Sequence, residues 1–201
     1  MYITELTGYK DNPYYKTAQD IFKNSDNLKQ FDFREQALKK FMNHLSENGF
    51  KQLGDFGQGG VVFEHPSYSW VFKLFTHDPE YLRYLNYSLA HQNNPHVPKI
   101  KGKMIKINNE TFVVRMEKLY RSSREETHTL ATKLRSINDI EFFNSPFMQE
   151  EIKLLKTDYP GIYKIITDLL HTNPDSQFDF HSENIMERKD GTIVIIDPLR
   201  D

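Results

Sequence analysis

The stretch FDFHSENIMERKDGTIVIIDP, residues 178–198, limits what this chain can fold into more than any other. Lys189-Asp190-Gly191 is a turn signal between two apolar runs, and Thr192–Ile196 has the composition of a buried strand, so the spacing predicts a rigid hairpin. Asp179 and Asn184 stand before that hairpin, and Asp197 follows its second strand directly. Carboxylates and an amide at the open ends of a hairpin are hard oxygen ligands of the kind a divalent cation takes. Asp and Asn also abound in turns because they bond their own backbone, and Asp197-Pro198 is a turn initiator as well.

Upstream, the pattern changes character twice. Residues 1–49 read as helical. Within DFREQALKKFMNHLSENG, the residues Phe33, Ala37, Leu38, Phe41, Met42 and Leu45 form one stripe at helical spacing. Asp32 with Glu35 makes a capping box, and Asn48-Gly49 supplies the stop. A shorter helix is expected around Tyr14–Lys23. Strands are then expected over Phe50–Phe56, Gly60–Glu64 and Trp70–Phe75, followed by a helix with Asp78 as cap and Pro79 at its first position. Lys99–Ile107 and Glu110–Glu117 pair across Asn108-Asn109, completing a five-stranded antiparallel sheet with one inserted helix. From Ser123 the chain is helical again: SREE is a capping box, Ser145-Pro146 opens another helix, and Tyr159–His171 forms a third. That order gives an α+β chain of two lobes, joined near Glu117–Arg121.

Composition narrows the chemistry. The chain has 201 residues, 38% hydrophobic and 27% charged, which suits a globular protein with a sizeable core. A net charge of −2 and the lack of a basic run argue against nucleic acid or a membrane surface as partner. The absence of cysteine excludes disulfides, thiolate nucleophiles and Cys-type zinc sites, and it fits a reducing compartment. MYITELTGYK shows no secretory pattern and no run reaches membrane-spanning length, so a soluble, cytoplasmic protein is expected. The eight histidines follow no zinc spacing, and there is no G-x-S-x-G elbow.

Three further stretches bear on function. In LGDFGQGGVVF, residues 53–63, Gly57, Gly59 and Gly60 either make a plain flexible turn or let backbone N–H groups approach a phosphate. Lys73 interrupts the apolar strand SWVFKLF, sharing a face with Val71 and Phe75, and it either snorkels to the surface or faces an anion. In FVVRMEKLYR, backbone around Glu117 and Leu119 either forms an ordinary linker or bonds a flat heterocycle where strand pairing stops.

Taken in order, a glycine loop, a third-strand lysine, a hinge after the fifth strand, a catalytic loop and a metal-binding aspartate resemble the protein-kinase-like superfamily. VVRMEKL is similar to the kinase strand-to-hinge segment, and NPHVPKI to the joint after the kinase's first helix. FDFHSENIM followed by IIDP is most similar to the short protein kinases of lytic podophages, whose Ser-His-Pro-like element is echoed by EHP at residues 64–66. The resemblance covers residues 51–201. It implies a two-lobed minimal kinase-like fold: a helical extension over 1–49, a sheet lobe over 50–118, and a small helical lobe over 119–201 with the catalytic loop and metal-binding hairpin.

The resemblance also implies roles. Asp179 would orient and deprotonate an acceptor hydroxyl, while Asn184 and Asp197 hold Mg2+ against the phosphates of ATP. Lys73 would contact the α- and β-phosphates, and Gly57, Gly59, Gly60, Val62, Glu117 and Leu119 would line the nucleotide. The implied activity is a protein kinase acting on Ser or Thr, a bacterial or phage effector modifying host proteins in the host cytoplasm. The alternatives are a small-molecule phosphotransferase of the aminoglycoside type and a kinase-like binding protein without turnover.

Several residues depart from the kinase pattern. Gln177 and Phe178 replace the usual His-Arg before the catalytic aspartate, and Asp197-Pro198-Leu199 replaces Asp-Phe-Gly. Pro198 biases Asp197 towards an extended backbone. With four residues after Asp197, no activation segment is expected. Glu80 is the only glutamate in the helix after the third strand and sits near its start, so its pairing with Lys73 stays open. His181, two residues after Asp179, stands where eukaryotic-type Ser/Thr kinases carry Lys and aminoglycoside phosphotransferases carry His; it either marks a small-molecule acceptor or pins the loop.

Overall fold

The first helix ends as its sequence dictates. α1 (Phe31–Glu47) stops where Gly49 adopts φ 83°, and the Phe50 N–H then turns back to bond Leu45 O at 3.0 Å. That is the glycine-terminated stop expected from Asn48-Gly49. The helix already begins at Phe31, one residue ahead of the expected cap Asp32. The computed structural model describes residues 31–54, 60–76, 78–106, 111–137, 143–172 and 177–200, with only the backbone over 31–38. The helix expected at Tyr14–Lys23 lies outside the described residues.

Two compact units emerge. One takes the described residues up to Asp78 together with Ile100–Lys118, and the other takes Pro79–Lys99 together with the described residues from Leu119 onward. The first unit holds the antiparallel sheet, with strands β1 (Lys51–Leu53), β2 (Gly60–Glu64), β3 (Trp70–Thr76), β4 (Ile105–Lys106) and β5 (Thr111–Glu117). Their order is β1-β2-β3-β5-β4, which is the five-stranded sheet that the alternation predicts. Phe41 and Leu45 of α1 are fully buried and join Phe50, Val61, Phe63, Phe72, Leu74, Ile105 and Val113 in one core. The described part of the stripe, Phe41, Met42 and Leu45, is therefore packing.

The strand expected over Lys99–Ile107 is broken. Ile100 makes a single bridge to Met116, Gly102 takes φ 84°, and regular pairing resumes only where Ile105 and Lys106 meet Val113 and Phe112. A residue with positive φ cannot continue the pleat, so the ladder is interrupted there. The Asn108-Asn109 turn lies outside the described residues.

The second unit is mainly helical. It contains α2 (Pro79–Ala90), α3 (Glu125–Arg135), a 3-10 turn at Pro146–Met148, α4 (Gln149–Asp158) and α5 (Pro160–Thr172). Pro79 opens α2 and Pro160 opens α5, positions where the missing N–H costs nothing. Short strands complete the unit: β6 (Tyr120–Arg121), β8 (Ile185–Glu187) and β9 (Ile193–Ile195) form one sheet, and β7 (Gln177–Phe178) pairs with β10 (Leu199–Arg200). The predicted hairpin is β8–β9, with Gly191 at φ 85° in its turn.

α2 packs with this unit for identifiable reasons. Tyr84 is fully buried, and its hydroxyl donates to Ile195 O at 2.6 Å. The loop after α2 is bound to the hairpin as well. The Ile195 N–H reaches His96 O at 3.0 Å, His96 Nδ1 lies 2.8 Å from Ile193 O, and Arg188 donates to Val97 O at 3.0 Å. Ile162, Ile165, Ile166 and Leu169 of α5 bury their apolar face in the same core as Phe178, Phe180, Ile185 and Ile195.

The SREE capping box does not form. α3 has Arg124 at its N-cap with no side-chain cap. Ser122 Oγ accepts the Arg124 N–H instead, at 3.0 Å. A carboxylate from β8, Glu187, supplies the negative charge at this helix end, as described below.

Candidate active site

Asp179, Asn184 and Asp197 are held in one backbone knot. β7 and β10 pair with Phe178 opposite Leu199, and the Asp179 N–H bonds Pro198 O at 2.8 Å. Five residues on, Asn184 O accepts the Ile196 N–H at 2.9 Å. Those bonds fall on the residues either side of Asp197, so both ends of the 179–184 loop are fixed to the backbone that carries it. The loop is closed internally by His181 N–H to Asp179 O at 3.0 Å and Asn184 N–H to His181 O at 2.9 Å. Phe178 and Phe180, both nearly fully buried, stack at 4.8 Å and anchor the loop in the core on either side of Asp179. Asp179 itself stays about one-third exposed, its side chain being 36% accessible.

The Asn184 amide is oriented by the same loop. Its Nδ2 donates to Asp179 O at 2.8 Å, which leaves the amide oxygen as the atom able to face a cation. With Asp197 the pair presents oxygen donors only, a set suited to Mg2+, which takes one or two protein oxygens and fills its shell with water and phosphate. Among the described residues no three His, Asp or Glu side chains gather as a self-sufficient metal site.

Of the other candidates, Gly60, Val62, Lys73 and Glu117 fall in the sheet unit, and Leu119 and Glu80 in the helical one. Val62 stands directly opposite Lys73, and Gly60 opposite Phe75, so Lys73 shares a sheet face with Val62 and Gly60. Lys73 is half-buried. A Cβ built on Gly60 would meet Leu74 O at 2.9 Å, so the absent side chain is what lets the two backbones approach there, while the Lys73 stem lies at ordinary contact distance. Gly57 and Gly59 lie outside the described residues. The β3–β5 ladder ends at Trp70 opposite Glu117, after which the Lys118 N–H is taken by Ser69 O at 3.2 Å. Leu119 then precedes β6, which pairs Tyr120 with Glu187 and Arg121 with Met186. Glu80 is buried, and Arg83 donates to both of its carboxylate oxygens, at 2.6 and 2.7 Å.

Two residues behind the site have no local sequence signal. Glu187 is buried, and its Oε1 accepts from Ser122 Oγ, Thr127 Oγ1 and, at 2.9 Å, Arg124 Nε. Arg124 also donates to Gly191 O at 2.6 Å, binding the hairpin turn. Burial alone would raise the Glu187 pKa; the bonds from Ser122, Thr127 and Arg124 outweigh it and hold the carboxyl below its ordinary value. Tyr84 is the other: burial pushes its hydroxyl pKa well up, and the Asp197 charge adds to that rise. The partners of Glu187 are about sixty residues away in sequence, |i−j| 60 for Thr127, so only alternation in IME could have marked Glu187 as inward-facing.

No protein-family model matches the chain, and no curated protein matches it. Among solved structures it is similar to a choline kinase from Streptococcus pneumoniae, at 18% identity over 81% of this chain and 68% of that one, with a TM-score of 0.39. A structure named as a fructosamine-3-kinase from Haemophilus somnus 129PT is similar at 14% identity over 76% and 67%, with a TM-score of 0.35. Likeness at that distance bears on no individual residue of this chain. No helix among the described residues is long and apolar enough to cross a membrane.

Proposed function

We propose that the protein is an ATP- and magnesium-dependent phosphotransferase whose acceptor is a hydroxyl group, with Asp179 as the base. The observation that carries this reading is the knot in which the backbone bonds of Asp179 and Asn184 land on Pro198 and Ile196, on either side of Asp197. It holds a carboxylate able to take a proton and two oxygen ligands for a cation in one fixed frame. Phosphoryl transfer asks for little else, because positioning and charge neutralisation carry the rate.

In this reading Asp179 orients the acceptor O–H and receives its proton as the oxygen bonds the γ-phosphorus and the bond to ADP breaks. Asn184 and Asp197 would hold the cation, which supplies charge neutralisation at the phosphates when bound. Lys73 would contact the α- and β-phosphates, with Gly57, Gly59, Gly60 and Val62 covering the nucleotide and the backbone of Glu117 and Leu119 receiving its base.

The acceptor we favour is Ser or Thr of a protein. Asp179, about one-third exposed, is open to a hydroxyl carried on a larger partner. A small hydroxylated acceptor is the second reading, favoured by the histidine at position 181, which faces Asp179.

Purified protein with γ-labelled ATP and Mg2+ should label a polypeptide in a lysate, and Asp179→Ala should lower the rate by about 10²–10⁴-fold. Label appearing only in a metabolite panel would move the acceptor to the second reading. Equal turnover by Asp179→Ala and wild type would remove Asp179 as the base and sink the proposal.

A further inference from the structure

His181 does more than sit in the loop. Its Nδ1 accepts the Glu183 N–H at 3.1 Å. A ring nitrogen that accepts carries a lone pair, so in the neutral ring the proton resides on Nε2. Nε2 in turn lies 3.4 Å from Asp179 Oδ2. The ring is thus held by a hydrogen bond at one nitrogen, while the other faces one oxygen of the carboxylate at a distance slightly longer than a direct hydrogen bond. The Glu183 side chain takes no part, because its Oε1 is bonded by Arg121 at 2.8 Å.

We propose that His181 is a positioning residue for Asp179. Its Nε2–H holds Oδ2 and leaves Oδ1 to receive the acceptor's proton. Asn184 fixes the backbone end of Asp179 through its carbonyl, and His181 fixes the carboxylate end. The proposal rests on the reading of Asp179 as base. It predicts that turnover responds to the Nε2 side of the ring and not to the Nδ1 side.

Two substitutions separate the sides. Asn at 181 can still accept the Glu183 N–H, as an Asx-turn does, but nothing reaches Asp179. Gln at 181 carries an amide N–H out to the Nε2 position and forgoes the turn bond. His181→Asn should lower kcat by about 10–100-fold, the usual scale for a group that orients a reacting ligand, with the KM for ATP unchanged. His181→Gln should recover most of that loss. A histidine that only pins the loop would give the opposite order, with Asn harmless and Gln damaging. Thermal melts of both variants show whether each is folded.

A second measurement needs no turnover. In uniformly 15N-histidine-labelled protein, the neutral His181 ring should show the Nε2–H form, and its Nε2 resonance should move in Asp179→Ala. An Nδ1–H form, or an Nε2 signal indifferent to Asp179→Ala, overturns the proposal whatever the activity. Should wild type transfer no phosphate while the ring responds to Asp179→Ala, the contact stands and the assignment of Asp179 as base falls, and the positioning role falls with it. Should wild type be active and Asp179-dependent while His181→Asn matches it, the function stands and the positioning role fails.

Discussion

Replacing Glu187 with Gln asks whether the hairpin behind the site is held by charge or by shape. The Glu187 side chain is 11% exposed, and its partner Arg124 is 43% exposed. Hydrogen bonds to a charged group contribute about 1.5–3 kcal/mol each, but three on a single oxygen are coupled and do not add. Gln keeps the volume and a carbonyl acceptor and loses only the charge facing Arg124, so E187Q should lower the unfolding free energy by about 1.5–3 kcal/mol. Ala also orphans the hydroxyls of Ser122 and Thr127, so its loss should exceed that of Gln by about 1–3 kcal/mol. The exposure of Arg124 places both figures towards their lower ends.

Acid adds an independent readout. The Glu187 pKa is depressed in the folded protein, so its contribution is complete above the unfolded-state value of about 4.3 and is lost as pH falls through the folded value. Wild type should therefore shed stability on acidification below about pH 4.3 more steeply than E187Q does. Urea unfolding near pH 7 and near pH 4 measures both effects. An E187Q protein within about 0.5 kcal/mol of wild type near pH 7, with the same acid slope, would refute the reasoning.

Gly60→Ala sets two rules against each other. Strand propensity alone predicts a gain of about 0.5–1 kcal/mol from replacing glycine, but the new Cβ meets the Leu74 carbonyl at 2.9 Å, an overpacking that should cost about 1–3 kcal/mol. Urea unfolding that shows stabilisation would mean the strands part easily there. Tyr84→Phe removes a buried hydroxyl 2.6 Å from Ile195 O and should cost about 1–3 kcal/mol, since the carbonyl stays buried with one partner fewer. A thermal midpoint equal to wild type would show that α2 is held by packing alone.

The parts of this structure that were legible in the sequence are those whose signals are local. Lys189-Asp190-Gly191 announces the β8–β9 hairpin because Gly191 takes a positive φ and Asp190 Oδ1 accepts the Thr192 N–H at 2.9 Å. Pro79 and Asn48-Gly49 mark helix ends for the same reason: the backbone angle is written in the residue itself. What stayed hidden is tertiary. β7 and β10 have two residues each, too few for any periodicity, yet their pairing fixes Asp179. In place of the capping box at Ser123, Ser122 takes the Arg124 N–H and the distant Glu187 carboxylate lies at that helix end, and the break at Gly102 hid inside a run that alternates well enough to pass for one strand. His181 was visible as a residue, whereas the ring orientation that gives it a role required coordinates.

The bond from Tyr84 to Ile195 spans 111 positions of the chain. During synthesis at about 5–20 residues per second, α2 would emerge roughly 5–20 s before the strand that seals it. Through that interval Tyr84, fully buried in the finished protein, lacks the strand that accepts its hydroxyl and part of the core it joins. The nascent chain thus carries a buried-to-be aromatic side chain in need of shelter, so translation speed between α2 and β9 should affect yield. Pausing late should favour aggregation, whereas a holding chaperone supplied in trans should restore the soluble fraction.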